Sequence, residues 1–221
     1  MSDAITPPAP LSAPALLPLG GAARFAVGSL VLAGFVWAVR AVWEVRLAVA
    51  GEPASGAPDQ GGGVHRPLTS LEDQYHLVVS AGGIAVVVCA VAFVGWLGRA
   101  RANARELSGR PPRYAGLWVY LGWVVPVVNL WFPRGIVAEV HRDSAPGERL
   151  PRCVNVWWAL WLVGLLSGVG LLSGASTDQV IARAYTDYWA LLVSDAATVG
   201  AAVAGVFVVR ALTAVQERHA R

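Results

Sequence analysis

Four long, mainly apolar segments constrain this chain more than any other feature of its sequence. They cover residues 25–48, 75–97, 156–172 and 188–209. Each falls within the roughly 17 to 25 residues that a helix needs to cross the hydrocarbon core of a bilayer at about 1.5 Å of rise per residue. Helices are required because lipid offers no hydrogen-bonding partner to an open backbone. The sequence therefore predicts an all-α integral membrane protein with four transmembrane helices.

The composition favours the same class and excludes two kinds of enzyme. Hydrophobic residues make up 56% of the 221 residues and charged residues 14%, a balance that soluble domains rarely reach. All 17 Lys and Arg side chains are arginine. A phosphate-binding loop of the G-x-x-x-x-G-K-[ST] type and a Schiff-base amine both need a lysine, so neither is expected. The Ala, Gly and Arg bias is typical of a bacterial genome rich in G and C.

The remaining segments divide the chain into three regions. Residues 1–23, rich in Pro and Ala, predict a disordered cytoplasmic tail. Residues 24–212 form the predicted membrane domain, and residues 213–221 form a basic C-terminal tail. The basic start of a cleavable leader is missing, so the first apolar run is expected to be a retained signal anchor. Between the first two spans, the Gly- and Pro-rich residues 51–70 predict a flexible outer loop.

The distribution of arginine predicts the orientation. If the N-terminus is inside, the cytoplasmic side holds thirteen arginines and six acids, and the outer side holds four arginines and eight acids. Arginines accumulate on the cytoplasmic side because they resist translocation. We therefore expect a multi-pass protein of the bacterial plasma membrane with both termini in the cytoplasm. This arrangement requires that residues 114–132 do not cross.

Residues 114–143 are accordingly predicted to form a short re-entrant or interfacial helical hairpin between the second and third spans. Pro126 removes a backbone donor from its middle, and Asn129 would be costly in lipid. Six aromatic residues within residues 114–132 favour the headgroup boundary. Pro133 suits the first turn of a second helix, which is expected to lie on the membrane surface. On that helix, Glu139, His141 and Asp143 are interpreted as a solvated charged face rather than a metal or acid/base site.

A set of residues in and around this hairpin resembles a known family. Its members are Arg99, Asn103, Trp123, Pro126, Asn129, Pro133, Glu139, Trp157 and Trp158. Their types and spacing are similar to those of the bacterial membrane family called domain of unknown function 4328, over about residues 77–216. This chain departs from the family pattern at Val124 and His141. The resemblance implies a multi-spanning membrane protein of unassigned activity, and these residues, with Arg101, are its candidate functional or structural motif.

Two charged residues fall at the same predicted depth on the first and last spans. Arg40 lies sixteen residues after Arg24, and Asp195 lies fifteen before Arg210, so both are roughly 23 Å from the inner surface. One expectation is an intramembrane ion pair between Arg40 and Asp195, joined by Glu44 one turn further on. The alternative is that each side chain reaches the outer headgroups or water by itself. A proton relay at Asp195 would need a second buried acid, and the sequence does not identify one.

Glycine spacing and cysteine content point to structural roles. Gly164, Gly168, Gly170 and Gly174 form two G-x-x-x-G spacings, which favour close packing inside the protein over a dimer interface. The two cysteines are too few and too distant for a disulfide framework or a zinc site. We identify no catalytic, cofactor-binding or metal-ligating set of residues.

Three classes of function remain. The first is an interaction or scaffolding protein whose basic cytoplasmic platform binds anionic lipid headgroups, or a membrane or cytoplasmic protein. The second is a small channel or transporter that uses the re-entrant segment. The third, a membrane enzyme, is least favoured because no nucleophile or metal site is evident. Nucleic acid is not expected as a partner, since the arginines lie within reach of the lipid headgroups.

Overall fold

The computed structural model describes residues 16–111, 113–114, 116–123, 125, 127–168 and 176–219. Within these residues the regular structure is helical and no β-strand forms. The all-α part of the predicted fold is confirmed. Four residues singled out in the sequence, Val124, Pro126, Gly170 and Gly174, lie outside the described residues.

In the described part of the chain, three helices are long and apolar enough to cross a membrane. They are α1 (Gly20–Ala50), α2 (Ser70–Ser108) and a final helix, Tyr188–His219. Each contains one predicted span and is longer than it. Large apolar side chains such as Phe35 and Ile84 are exposed on their outer faces. Contiguous apolar surface of this kind suits lipid rather than water, so these helices indicate a membrane protein.

Local signals set the two ends of α2. Thr69 Oγ1 accepts a hydrogen bond from Glu72 N, and the Glu72 carboxylate accepts one from Thr69 N. This reciprocal capping box satisfies two free donors of the first turn. At the other end, Gly109 takes a left-handed conformation with φ of +61°, which a residue without a Cβ adopts at low cost.

Four shorter helices complete the fold of the described residues. After α2 come α3 (Trp118–Leu121), a 3-10 turn (Val128–Leu130) and α4 (Phe132–Ser144). The predicted third span corresponds to α5 (Arg152–Gly168), whose 17 residues start four residues earlier than predicted. Residues 169–172 of that span lie outside the described residues. Next come α6 (Thr177–Thr186) and the final helix, α7 (Tyr188–His219).

The long helices and α5 pack side by side as a bundle. α7 lies against both α1 and α5, and α2 lies against α1. The main core contains Trp96, Trp157 and Leu212, each at most 3% exposed. A smaller core at the other end of the bundle joins α6 to the three long helices. It consists of Leu47, Tyr75, Ile181, Ala184 and Leu191.

The apolar face of α4, predicted to lie in the membrane surface, packs inside the protein instead. Its apolar residues Ile136, Val137 and Val140 are at most 1% exposed and pack in the main core. The physical reason is the length of α2, which continues eleven residues past the predicted end of its span at Leu97. That extension gives α4 a protein surface to bury its apolar face against.

The N-terminal boundary also differs from the prediction. Residues 20–23, assigned to a disordered tail, are helical. Before them, Leu17 N donates to Asn103 Oδ1 at 2.7 Å, and Asn103 Nδ2 donates to Leu17 O at 2.9 Å. Residues 17–23 therefore lie against the last turns of α2.

The connection between α2 and α5 returns to the end of the bundle where α2 stops. Gln216 Nε2, near the end of α7, donates to Ala100 O on α2 and to Ser144 Oγ on α4, both at 2.7 Å. These contacts bring together the start of α1, the ends of α2 and α7, all of α4 and the start of α5. We call this the arginine-rich end, because Arg24, Arg105, Arg142, Arg152 and Arg210 lie there.

Candidate functional site

Four polar side chains from three helices meet inside the bundle, and we call them the buried charge cluster: Arg40, Glu44, Tyr75 and Asp195. Each is at most 1% exposed. Arg40 Nε donates to Glu44 Oε1 at 2.9 Å, and Tyr75 OH donates to the same oxygen at 3.2 Å. Arg40 Nη2 lies 2.9 Å from Asp195 Oδ1. One guanidinium thus contacts two carboxyl groups.

Helix geometry explains why these residues meet. Arg40 and Glu44 are one turn apart and share a face of α1. Tyr75 comes from the second turn of α2, and Asp195 from the third turn of α7. The Arg40 guanidinium also lies over the Trp37 ring, 4.1 Å from its centroid, a cation–π contact that favours the charged form in an apolar site.

Part of the cluster lacks hydrogen bonds. Among the described residues, Arg40 Nη2, Glu44 Oε2 and both Asp195 oxygens have no partner with hydrogen-bond geometry. The Arg40 to Asp195 contact is therefore ionic, at short distance but without a well-aligned donor. Buried polar atoms normally find a partner, so the four side chains do not fully satisfy one another's hydrogen-bonding groups.

Arg46 behaves differently from Arg40. It is exposed, and its guanidinium lies 4.9 Å from the centroid of the Trp43 ring. Arg46 thus reaches outward beside a tryptophan, as in the alternative to the ion pair. Arg40 instead points into the bundle.

A second ionic group holds the loop between α1 and α2 at the opposite end of the bundle. Arg66 donates to both Glu72 oxygens, at 2.9 and 2.7 Å, a bidentate pair. Tyr185 OH on α6 donates to Glu72 Oε1 at 3.1 Å. Burial raises the pKa of Tyr185 to about 12, so its phenol remains a donor. The loop, predicted to be flexible, is tied to α2 and α6 by this group.

The aromatic residues of the central segment pack into the bundle. Trp123 contacts Phe93 at 5.6 Å, Trp157 at 6.2 Å and Trp161 at 6.1 Å between ring centroids. Trp157 also contacts Trp158 at 5.9 Å. These contacts explain why the motif contains three tryptophans, since they hold the segment against α2 and α5.

Two further motif residues hold the same segment in shape. Asn129 is 6% exposed, and its Nδ2 donates to Trp123 O at 3.2 Å. Pro133 occupies the first turn of α4, where its missing N–H costs nothing. The Asn129 Nδ2 is therefore used by the segment's own backbone, whereas its Oδ1 has no partner among the described residues.

The polar motif residues near the end of α2 also make structural contacts. The Arg101 guanidinium donates to Tyr114 O, and Asn103 binds the backbone of Leu17 through both amide atoms. Arg99 is exposed and approaches Pro18 O at 3.5 Å. Arg101 thus holds the segment that follows α2, and Asn103 holds the segment that precedes α1.

The interpretation of Glu139 and His141 as a solvated face is wrong, because they are 5% and 3% exposed. The Glu139 carboxylate accepts a hydrogen bond from Arg113 N and so holds the chain that leaves α2. Burial lowers the pKa of His141 below its ordinary value. Their burial follows from the length of α2, whose span was predicted to end at residue 97 but which continues to Ser108.

Many arginines at the arginine-rich end are free to bind something else. Seven of them are exposed, and their guanidinium groups have no hydrogen-bond or ion-pair partner among the described residues: Arg24, Arg105, Arg110, Arg142, Arg149, Arg152 and Arg210. Among the acids of this end, Glu139 is buried, Glu148 pairs with Arg218 at 3.2 Å, and Glu106 and Glu217 are exposed. The exposed charge at this end is strongly positive.

An apolar cavity of about 100 Å³ lies between α1, α2, α5 and α7. Tryptophans at 37, 123, 157 and 161 form much of its wall. No group of three or more His, Cys, Asp or Glu side chains that could hold a metal ion occurs in the described part of the chain. The cavity thus presents apolar surface rather than a set of reactive groups.

A known protein family matches the part of the chain that contains the central motif. The family model described as "Domain of unknown function (DUF4328)" matches residues 64–214. No curated protein and no solved structure matches the chain. The matched range contains Tyr75 and Asp195 of the buried charge cluster, whereas Arg40 and Glu44 precede it.

Proposed function

Since this chain belongs to the family described as a domain of unknown function (DUF4328), we propose that it is an interaction protein of the bacterial plasma membrane. In this proposal it crosses the bilayer four times and uses its arginine-rich end as a cytoplasmic platform for anionic lipid headgroups. The observation that carries the proposal is the set of seven exposed arginines without partners. Guanidinium groups bind phosphate oxygens with paired donors, so such a set suits phospholipid headgroups.

The packing of α5 supports the fourth crossing. Its 17 residues span about 25 Å, and it lies along α7 next to the helices long enough to cross. α2 ends and α5 begins at the arginine-rich end, so the chain between them is proposed to enter and leave from one side. Trp123, packed on Phe93 and Trp161 inside the bundle, would be the deepest part of this re-entrant hairpin.

Charge supports the proposed orientation. The arginine-rich end contains the start of α1 and the end of α7, so both termini are proposed to be cytoplasmic. Positive side chains are retained on that side during insertion. The cytoplasmic leaflet is also the anionic one, which places the free arginines beside the lipids they would bind.

The alternative of a channel through the re-entrant segment gains no support from the described residues. Asn129, the polar residue expected to line a pore, donates to Trp123 O within its own segment. The neighbouring cavity has a wall that is largely aromatic and aliphatic. A water-filled path needs polar groups facing it.

Lipid binding by the purified full chain tests the platform. In native mass spectrometry, we expect retained phosphatidylglycerol to exceed phosphatidylcholine, and the excess to fall as salt is raised. A triple variant in which Gln replaces Arg105, Arg110 and Arg149 should retain fewer phosphatidylglycerol molecules. The matched control substitutes Arg46 and Arg183 at the opposite end and should leave that number unchanged.

Two results would contradict the platform. One is equal retention of the two lipids by the wild-type chain. The other is an equal loss of phosphatidylglycerol from the triple variant and the control, which would show a general effect of net charge rather than binding at this end.

A further inference from the structure

The buried charge cluster contains more negative than positive groups. Glu44 and Asp195 are each 0% exposed, and Arg40, which is 1% exposed, is the one cation among the described residues that contacts them. If both carboxyl groups were ionised, the cluster would carry a net charge of −1 away from solvent. A buried charge without a counterpart is costly, and the usual remedy is a bound proton or cation.

No other described group around the cluster supplies the missing positive charge. From α1 come Arg40 and Glu44, from α2 comes Tyr75, and from α7 comes Asp195. On α6, Ile181 and Ala184 face the same core, and the partly exposed Arg183 forms no ion pair with Glu44 or Asp195. The other ionisable groups of α6 are engaged elsewhere. Tyr185 bonds to Glu72, and Asp178 contacts His65 at 2.7 Å. On α5, Gly164 packs on α7 through its backbone.

The arrangement of the oxygen atoms fits a proton in particular. Both carboxyl groups contact the same guanidinium at 2.9 Å, Glu44 Oε1 at Arg40 Nε and Asp195 Oδ1 at Arg40 Nη2. Two ionised carboxylates can only accept hydrogen bonds, so beside one guanidinium they repel each other. Glu44 Oε2 and both Asp195 oxygens are the atoms left without a partner. A proton on either group creates an O–H donor and satisfies an oxygen of the other.

We propose that Glu44 and Asp195 share one exchangeable proton at neutral pH, so that the buried charge cluster is a proton-binding site between α1, α2 and α7. With that proton bound, Arg40 balances the one remaining negative charge and the cluster is neutral. Loss of the proton leaves a net negative charge between α1 and α7. Proton binding is therefore coupled to the packing of these two helices. This site is independent of lipid binding at the arginine-rich end.

Infrared difference spectroscopy of the full chain in zwitterionic nanodiscs tests the site. At neutral pH the wild type should show the C=O stretch of a protonated carboxylic acid, and the band should shift in D₂O because the proton exchanges. Glu44→Gln and Asp195→Asn should each abolish it, since the single acid that remains ionises to pair with Arg40. Asp73→Asn, which alters an exposed acid on α2, is the matched control and should keep the band.

Three results would overturn the proposal. The first is a wild-type spectrum without the band, which shows that both acids are ionised; this result needs no variant to fold. The second is a band that persists in either Glu44→Gln or Asp195→Asn. The third is a band that appears only after sodium is removed, which makes a metal cation the preferred occupant.

Discussion

At the scale of single residues, Arg40 determines whether the interior charges are balanced. It donates to Glu44 and contacts Asp195, both at 2.9 Å, and no other cation contacts either acid among the described residues. Removing one member of a buried ion pair leaves a charge without its counterpart, which costs about 3 to 5 kcal/mol. Replacing all the charges by neutral groups avoids that cost.

Arg40→Gln should therefore lower the free energy of unfolding in a detergent titration by about 3 kcal/mol or more. Adding Glu44→Gln and Asp195→Asn to the same chain should recover most of the loss. The control Arg46→Gln removes an exposed arginine over Trp43 and should cost about 1 kcal/mol or less. Equal losses for Arg40→Gln and Arg46→Gln would show that Arg40 does not balance the interior charges.

His141 predicts a dependence of stability on pH. Burial lowers the pKa of His141 below its ordinary value of 6.5, so the unfolded chain binds a proton more readily than the folded one. The free energy of unfolding should then fall as the pH drops below about 6.5, and level off below the pKa of the folded state. In His141→Gln this part of the decrease should disappear. An identical pH dependence in the two proteins would contradict the prediction.

At the scale of elements, α5 and α7 approach closely at Gly164. Ser194 Oγ donates to Gly164 O at 3.1 Å, and a Cβ added at Gly164 would lie 2.9 Å from Thr198 Oγ1. Thr198 cannot easily move, because its hydroxyl donates to Ser194 O at 2.8 Å. Gly164, which belongs to the G-x-x-x-G spacing, therefore packs against a helix of the same chain.

Gly164→Ala should lower the free energy of unfolding by about 1 to 3 kcal/mol through overpacking. Gly95→Ala on α2, where an added Cβ meets nothing within 4 Å, should be neutral or stabilising by about 0.5 to 1 kcal/mol. Adding Thr198→Ala to Gly164→Ala should restore part of the loss, as measured by a double-mutant cycle. A loss that is equal at both glycines would indicate a general effect on helix formation instead.

How far the elements could be predicted depends on where their signals lie. Long apolar runs identified three long helices and the position of α5, because hydrophobicity and length carry that information. The helix α6 was missed, although Ser176 and Gln179 form a capping box at its start. The packing of α4 was also missed, because α2 continues past residue 97 as a polar helix, for which hydropathy gives no signal.

The candidate site was predictable in part for the same reason. Equal depth on two helices placed Arg40 and Asp195 together, since helical rise converts sequence distance into height. Rise alone does not say which way a helix is rotated, so it could not show that Tyr75 joins them or that Glu44 is fully buried. Those facts depend on how α1, α2 and α7 pack.

At the scale of the whole molecule, the bundle has two chemically different ends. One end has seven free arginines and the returning segment with Trp123. The other end has α6 and the loop tied down by Arg66 and Glu72. The buried charge cluster lies between α1, α2 and α7. Lipid binding at one end and proton binding inside are thus separate properties of one proposed four-pass arrangement.

Cysteine accessibility in intact cells tests that arrangement most directly. In a chain with Cys89→Ala and Cys153→Ala, single cysteines would replace Asp59 in the loop, Arg149 between α4 and α5, or Glu217 near the end of α7. All three positions are exposed. We predict that an impermeant maleimide labels the cysteine at 59 directly, and those at 149 and 217 only after permeabilisation. Labelling of position 149 in intact cells would contradict four crossings with the arginine-rich end inside.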